Sequence, residues 1–456
     1  TLKEKREELG RRLDEVKARR FAELELDKLV GVFEPRGFGG EAAEAVARFV
    51  TCQVCGNEVA KGKVQEIDGV RFCPSCMAFV DLGRRLRGAE YLFLAELDIT
   101  LQPSDSLSTY ADVLAAFGYK IELLPSSHAL KDLPPERPAV LYALKDVKDD
   151  DDKGLTSYAG PRLAVGRKFL VNIVPTKDDR VKHFGELAEE SRGAPYLGVL
   201  RMDMDSLGKI FSIGLGNLAT LSRTSTLSFL VSLFFEGWTE RIAQEIGGSR
   251  IYTVYSGGDD LFFVGSWDAV VELARRIRLD LRRFTGRGDL GISGGIVLVH
   301  EKYPLYVAAG DADTAEKAAK DVSRRGGQKK HAVAFLGIAL PWEEFGFDEG
   351  KGTAADWAAR LTEAIEKGRL PRAVLERLQR FYLRYTGERE VRGEIGPWVW
   401  HAAYWLSRMR ERVRDEGAKS LLSELLGELS ADGFSRNIPR LALAARWAEL
   451  ATRKGG

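Results

Sequence analysis

The sequence predicts an α+β protein of several domains, and three observations carry that expectation. Between about residues 195 and 340, apolar strand-like runs alternate with amphipathic helical stretches. From Arg372 onward apolar residues recur only at helical spacing. All four cysteines of the chain fall between Cys52 and Cys76. The length of 456 residues suits roughly three domains, each able to bury its own core.

Composition narrows the function classes. The chain has 68 Lys and Arg against 67 Asp and Glu, a net charge of +1, so any nucleic-acid contact must come from local patches. Its 45% hydrophobic and 30% charged residues exclude wholesale disorder. No apolar run approaches the ~20 residues of a membrane span, and no signal peptide is recognisable. Four cysteines in so long a chain do not make a disulfide scaffold. The expectation is a cytoplasmic protein without membrane contact. The chain opens at Thr1, which reads as a fragment or as a sequence lacking its true N-terminus.

Taken in order, residues 1–48 read as a helical linker segment. Leu2, Leu9, Leu13, Val16, Leu24 and Leu29 recur at helical spacing, until the glycines and Pro35 of GVFEPRGFGG break the pattern. Residues 49–90 form a cysteine module. Residues 91–190 read as a mixed α/β domain with strand-like pieces at YLFLAEL, KIELL, AVLYAL and FLVNIV, and Asp149–Asp152 as a solvated loop. In the block 191–340, Tyr196–Met202 is a buried strand ending in acids and Ser225–Ile246 a helix. Ile251–Tyr255 and Leu261–Val264 make a hairpin with Gly-Gly-Asp-Asp at its tip. Trp267–Phe284 is a helix, Gly291–Val299 a strand, Tyr306–Val322 a helix and His331–Phe335 a last strand. The order β-α-β-β-α-β is the ferredoxin-like arrangement. Residues 341–456 read as a C-terminal helical bundle.

Two constellations carry chemistry. Cys52-x2-Cys55 and Cys73-x2-Cys76, seventeen residues apart, fall inside the spacing of a four-thiolate zinc site. Four thiolates close the coordination sphere, so Zn²⁺ there is expected to be structural. The second constellation is acidic. Asp203 and Asp205 follow the first strand, and Asp259 and Asp260 sit on the hairpin tip. With the first and third strands adjacent, both pairs converge at one edge of the sheet. Hard carboxylate oxygens are what Mg²⁺ or Mn²⁺ requires, and paired metals serve phosphoryl transfer. Gly257 and Gly258 leave the tip open to a nucleotide. The amides of Ser206–Lys209, opening the next helix, are placed to cradle phosphate oxygens. Lys209 and Lys320 are candidate phosphate contacts, though either also fits a solvated helix face. The basic runs Arg275–Arg287 and Ser323–Lys330 could touch RNA backbone or simply face water. The histidines show no clustered ligand spacing, and no His-Asp dipeptide anchors a phosphohydrolase.

The stretch Tyr255-Ser256-Gly257-Gly258-Asp259-Asp260-Leu261-Phe262, with LGVLRMDMDSLGKIF upstream and the four-cysteine module before it, resembles the large subunit of type III CRISPR effector complexes, subtype III-A (Csm) more than III-B (Cmr). The resemblance implies a palm domain of the nucleotide cyclase and polymerase type that converts ATP into 3′–5′ linked cyclic oligoadenylates when target RNA binds. It implies that Asp203, Asp259 and Asp260 hold the metal ions, with Asp205 beside them, and that Ser256, Gly257 and Gly258 line the ATP site. It also implies partner subunits, notably the small subunit and the one that binds the guide 5′ end, with guide and target RNA met indirectly. The HD nuclease and first palm domain that usually open this family have no counterpart before Cys52, so DNase activity is not expected of this chain. Two other readings compete. A diguanylate-cyclase relative would carry Glu-Phe where Asp260-Leu261 stand, and would prefer GTP. A non-catalytic scaffold would bind partners and RNA but not ATP with a divalent metal.

Overall fold

The computed structural model describes residues 8–9, 11–13, 49–67, 69–97, 109–133, 138–145, 162–178, 180–323, 329–348, 350–393, 395–430 and 433–453. Most of the expected helix over 2–30, the Asp149–Asp152 run and residues 324–328 of the basic stretch lie outside them. The chain divides into two units, one ending at Phe169 and one beginning at Leu170. That boundary falls before the expected end of the mixed domain.

In the first unit, two antiparallel hairpins, β1 (Phe49–Thr51) with β2 (Glu58–Ala60) and β3 (Gln65–Ile67) with β4 (Val70–Phe72), lead into helix α1 (Pro74–Gly88). A four-stranded sheet follows, built from β5 (Tyr91–Glu96), β6 (Tyr119–Leu124), β7 (Ala139–Ala143) and β8 (Leu163–Arg167) in the order β6-β5-β7-β8, with α2 (Tyr110–Ala116) between β5 and β6. Period-two alternation sends Tyr91, Phe93 and Ala95 of β5 into its core beside Leu124, Leu130 and Leu141. The sequence reading missed β8. It also expected a strand at FLVNIV, where the structure has none. Val171 and Ile173 instead bury into the core of the second unit, and one hydrogen bond, from the Thr253 amide to the Ile173 carbonyl (3.0 Å), ties the segment there. An apolar run reads alike whether it joins a sheet or plugs a core.

The second unit opens with a short hairpin, β9 (Thr176–Lys177) and β10 (Arg180–Val181), and α3 (Phe184–Glu189). Its six-stranded sheet runs β12-β13-β11-β14-β15-β16. The strands are β11 (Leu197–Met204), β12 (Ile251–Gly257), β13 (Asp260–Ser266), β14 (Ile292–Val299), β15 (Ala332–Phe335) and β16 (Ile338–Pro341), the last unforeseen. β11 lies centrally, antiparallel to β13 on one side and to β14 on the other. Its run Leu197–Leu200 is wholly buried, as expected of a strand covered on both faces. Helices α4 (Leu221–Ser232) and α5 (Thr239–Gly247) form one rod through an intervening π-helical turn, Leu233–Trp238; α6 (Trp267–Thr285) and α7 (Leu305–Lys320) complete the crossovers. α6 is amphipathic and buries Val270, Leu273, Ala274, Ile277 and Leu281.

Helix α7 reaches the sheet closely because β14 offers Gly295. A Cβ there would overlap the Ala312 carbonyl and the Glu316 amide and come within 2.8 Å of the Ala315 Cβ. Gly295→Ala is therefore expected to push α7 off the sheet and cost about 2–3 kcal/mol. The melting midpoint of the second unit should fall by roughly 5–10 °C; an unchanged midpoint would refute the close packing.

Five helices complete the C-terminal part after a one-turn α8 (Trp342–Phe345): α9 (Ala354–Glu366), α10 (Ala373–Arg392), α11 (Pro397–Arg412), α12 (Glu416–Glu428) and α13 (Phe434–Thr452). Trp357, Leu378, Trp398, Leu406 and Leu422 fill their common core. Trp447 of α13 stacks on Phe345 and meets Phe335 of β15 edge-on, fastening the bundle to the sheet.

Candidate functional site

The acidic site is built by strand register. Asp203 of β11 lies opposite Asp260 of β13 on one side and Ser293 of β14 on the other. β11 continues through Met204, so Asp203 belongs to the strand and does not follow its end, as the sequence reading had placed it. Gly257 pairs with Asp260, leaving a two-residue turn, Gly258-Asp259. Gly258 takes φ +67°, the left-handed conformation that hairpin turns of this length demand and that glycine adopts without penalty. The Met204 amide bonds the Asp259 carbonyl (3.0 Å), drawing the turn against the end of β11.

The three carboxylates crowd one another. Burial pushes Asp259 above the ordinary value of 3.8, and the neighbouring Asp203 adds to it. Burial likewise raises Asp260, against an opposing pull from Arg201. The Asp260 Oδ1 atom is buried with no hydrogen-bond partner. A hard cation would satisfy that oxygen, and the donor set is of the oxygen type that Mg²⁺ or Mn²⁺ takes. The oxygens are not yet gathered as ligands are around an ion. Among the described residues, the cysteine sulfurs alone form a group of three or more donor atoms within 4.8 Å of one another. Lys320 of α7 donates to Asp203 Oδ2 at 2.5 Å and to Glu316 Oε1 at 2.6 Å. Burial works to lower the Lys320 pKa, but these two bonds outweigh it and hold it above its usual value.

The raised carboxylates carry a sign for pH. A folded protein whose acids titrate above their unfolded value binds the extra protons first, so its metal-free stability increases as pH falls through the window above 3.8. A divalent cation competes with those protons. The thermal stabilisation given by Mn²⁺ is thus expected to be larger at pH 7.5 than at pH 5, as read by calorimetry; equal shifts would contradict the shared site.

Asp205 is placed differently from its neighbours. It is buried, accepts from the Ser293 hydroxyl at 2.8 and 3.0 Å and from the His331 amide at 3.0 Å, and its own amide bonds the Gly291 carbonyl. These bonds clamp the end of β11 to β14 and to the start of β15. Ser206 next to it has φ +61°, and Lys330 and His331 also lie in the left-handed region. Each costs on the order of 1 kcal/mol for a residue with a side chain; such strain concentrates at functional sites. The Lys330 ammonium bonds the Ser206 hydroxyl at 3.2 Å. The helix expected to open at Ser206 is a single turn, Leu207–Lys209, that passes into a π-helical turn over Ile210–Gly214, and Lys209 is exposed upon it.

Ser256 is buried and turns its hydroxyl to the Phe235 carbonyl (2.6 Å). The π-turn explains why that carbonyl is free: the Thr239 amide bonds Phe234, one residue further back than in an α-helix. The hydroxyls of Thr239 and Ser256 both donate to the carbonyl left over. The same turn brings Glu236 to the hairpin tip, its Oε1 3.5 Å from the Gly258 amide. Sequence reasoning missed Glu236, Arg201 and Glu316. A π-turn leaves no periodic signature in a helix of ordinary composition, Glu316 is remote from the aspartates in sequence, and Arg201, two residues before Asp203, is joined to Asp260 and Glu316 only by the fold.

The second candidate centre is the cysteine cluster. Its four sulfurs lie within 4.8 Å of one another, with Cys55 and Cys73 3.7 Å apart. A tetrahedron of 2.3 Å Zn–S bonds has edges of about 3.8 Å, so the donor set fits Zn²⁺. The Cys55 amide leads the forces that draw the Cys52 thiol down to about 6, a thiolate at neutral pH. Burial pushes Cys76 upward, as does its hydrogen bonding with Cys73. Thiols packed so closely cannot all ionise alone, and a dication removes the conflict.

Residues 196–328 match Cas10/Cmr2, second palm domain. The chain is 33% identical over 337 residues to the CRISPR system single-strand-specific deoxyribonuclease Cas10/Csm1 (subtype III-A) of Methanocaldococcus jannaschii, covering 67% of this chain and 39% of that protein. To the protein of the same description from Mycobacterium tuberculosis it is 32% identical over 252 residues, 51% of this chain and 29% of that one. The chain thus has subtype III-A Cas10/Csm1 homologues and spans well under half of their length. Among solved structures, a Csm1–Csm4 cassette in complex with cA3 superposes with a TM-score of 0.56 at 19% identity, over 83% of this chain and 50% of that one. A Csm1–Csm4 subcomplex of the type III-A CRISPR–Csm interference complex gives 0.55 at 21% identity over the same shares. Both share its fold.

Proposed function

We propose that this chain is the part of a type III CRISPR effector large subunit that bears the second palm, a ferredoxin-like domain, and that it is a nucleotidyltransferase converting ATP into 3′–5′ linked cyclic oligoadenylates on target RNA binding. The observation that carries the proposal is the register of Asp203 opposite Asp260, with Asp259 on a glycine turn beside them. The strand order β12-β13-β11-β14 supports the palm reading. Asp203, Asp259 and Asp260 would hold Mg²⁺ or Mn²⁺, which supplies charge stabilisation for phosphoryl transfer. The chain's own residues do the positioning. Gly257 and Gly258 let a nucleotide approach the backbone, Ser256 fastens the hairpin to the π-turn, and Asp205 and Ser206 fix the strand end. Lys209 and Lys320 offer positive charge to phosphates.

Zn²⁺ at Cys52, Cys55, Cys73 and Cys76 is assigned a structural role in the same proposal. Partner subunits fit as well: Ile213, Leu218, Leu221 and Phe229 are apolar yet exposed on the described surface. The neighbouring small subunit and the guide-5′-end-binding subunit are the proposed partners, with RNA met indirectly, in the cytoplasm. No described helix is long and apolar enough to cross a membrane. Nucleotide preference tests the reading. ATP is expected to bind this chain with Mn²⁺ more tightly than GTP by calorimetry. Preference for GTP would favour a diguanylate-cyclase relative, and binding of neither by the assembled complex a scaffold.

A further inference from the structure

Glu316 has entered so far only as a partner of Lys320, yet it is one of the two most deeply buried carboxylates around the site, with Asp205. It sits one turn before Lys320 on α7, with its side chain only 6% exposed. One oxygen, Oε1, accepts from Lys320 at 2.6 Å, and Oε2 lies 3.4 Å from the Arg201 guanidinium. Lys320 in turn holds Asp203, and Arg201 lies 3.5 Å from Asp260 and 3.3 Å from Asp313. A chain of alternating charge therefore runs Asp203–Lys320–Glu316–Arg201–Asp260, with Glu316 at its midpoint. Lys317 closes the outer side by bonding Asp313 at 2.5 Å. With every group ionised, the five carboxylates Asp203, Asp259, Asp260, Asp313 and Glu316 face three cations, Arg201, Lys317 and Lys320. The acids outnumber the cations there.

We propose that Glu316 is a positioning residue for the metal site, a step that rests on the metal reading of Asp203, Asp259 and Asp260. By holding Lys320 and Arg201, it limits how strongly those cations compete with an incoming metal for Asp203 and Asp260. A buried carboxylate is costly unless its partners repay it, and Glu316 is placed where both partners are the cations that the metal-binding acids share. Without Glu316, Lys320 and Arg201 would close entirely on the two aspartates and the site would lose a negative charge. Without Lys320, Asp203 would have no ammonium to exchange for the metal. The two removals act in opposite directions, which a purely structural role for α7 does not predict.

The test is Mn²⁺ binding to the full chain without nucleotide, read by the loss of the free-ion electron paramagnetic resonance signal, beside the melting midpoint of each variant. Glu316→Gln is expected to weaken Mn²⁺ binding about tenfold, the lower end of what supporting residues around a metal contribute. Glu316→Asp should recover part of the loss, and Lys320→Gln should bind Mn²⁺ more tightly than wild type. Unchanged affinity in folded Glu316→Gln would overturn the inference. Should Glu316→Gln not fold, Lys320→Gln decides, and affinity no tighter than wild type overturns it. The metal reading has its own control in Asp203→Asn. If wild type binds Mn²⁺ no better than Asp203→Asn, both ideas fail together. If Asp203→Asn abolishes a wild-type site that the Glu316 and Lys320 variants leave alone, only this inference fails.

Discussion

Replacing Asp259 and Asp260 together by asparagine is expected to lower metal-dependent ATP turnover by about three orders of magnitude, the scale seen when residues acting as one unit are removed. The shapes of the side chains are kept, so the hairpin register of Gly257 against Asp260 and of Asp260 against Asp203 should persist. What is lost is charge at the only described point where three aspartates are set by strand pairing and a tight turn. The change should not harm the fold. Asp259 is raised by burial and by Asp203 alongside, so neutralising it removes a repulsion, and the metal-free melting midpoint of Asp259→Asn should equal or exceed that of wild type. Sites that store like charges exchange stability for activity in this way. A variant that is both less active and clearly less stable would point to a structural role for the turn.

The second large effect concerns the cysteine cluster. Stripping zinc with a chelator, or replacing Cys52 and Cys73 by serine, is expected to unfold residues 49–88 while leaving the second unit intact. β1 to β4 are strands of three residues each with no buried residue, and among the described residues of 49–88 only Cys52, Cys73 and Met77 are buried. Such a module cannot offset its chain entropy by hydrophobic burial alone. Structural zinc contributes on the order of 10 kcal/mol in small fingers, enough to decide whether this one folds. Metal analysis should find one zinc per chain, and hydrogen exchange over 49–88 should rise sharply after chelation. Protection that survives in the metal-free protein would refute the zinc assignment.

Much of this was readable from the residues. Leu197–Leu200 is wholly buried and LFFV is buried at all but Phe262, and such apolar runs announce central strands. Gly-Gly-Asp-Asp between two of them announces a hairpin tip, and the Cys-x2-Cys pairs sit together because their spacing admits one tetrahedral centre. The misses have physical causes. FLVNIV has strand composition, but Val171 and Ile173 are spent on another core. β16 is four residues long and follows β15 by a two-residue turn, too short to show its own period. The π-turn that frees the Phe235 carbonyl and presents Glu236 depends on Ser256 and Thr239 meeting across the fold. Likewise Arg201 and Glu316 become neighbours only because β11 lies beside β14 and α7 packs on Gly295. Charges brought together by topology leave no mark in local sequence.

The central claim is that the palm acts on ATP. Its most direct test supplies labelled ATP and Mg²⁺ or Mn²⁺ to the effector complex assembled with this chain, a guide and a matching target RNA, and separates the products. The account predicts cyclic oligoadenylate that forms only with matching target and disappears in the Asp259→Asn/Asp260→Asn variant. No such product from the loaded complex, or product undiminished in the variant, would contradict it.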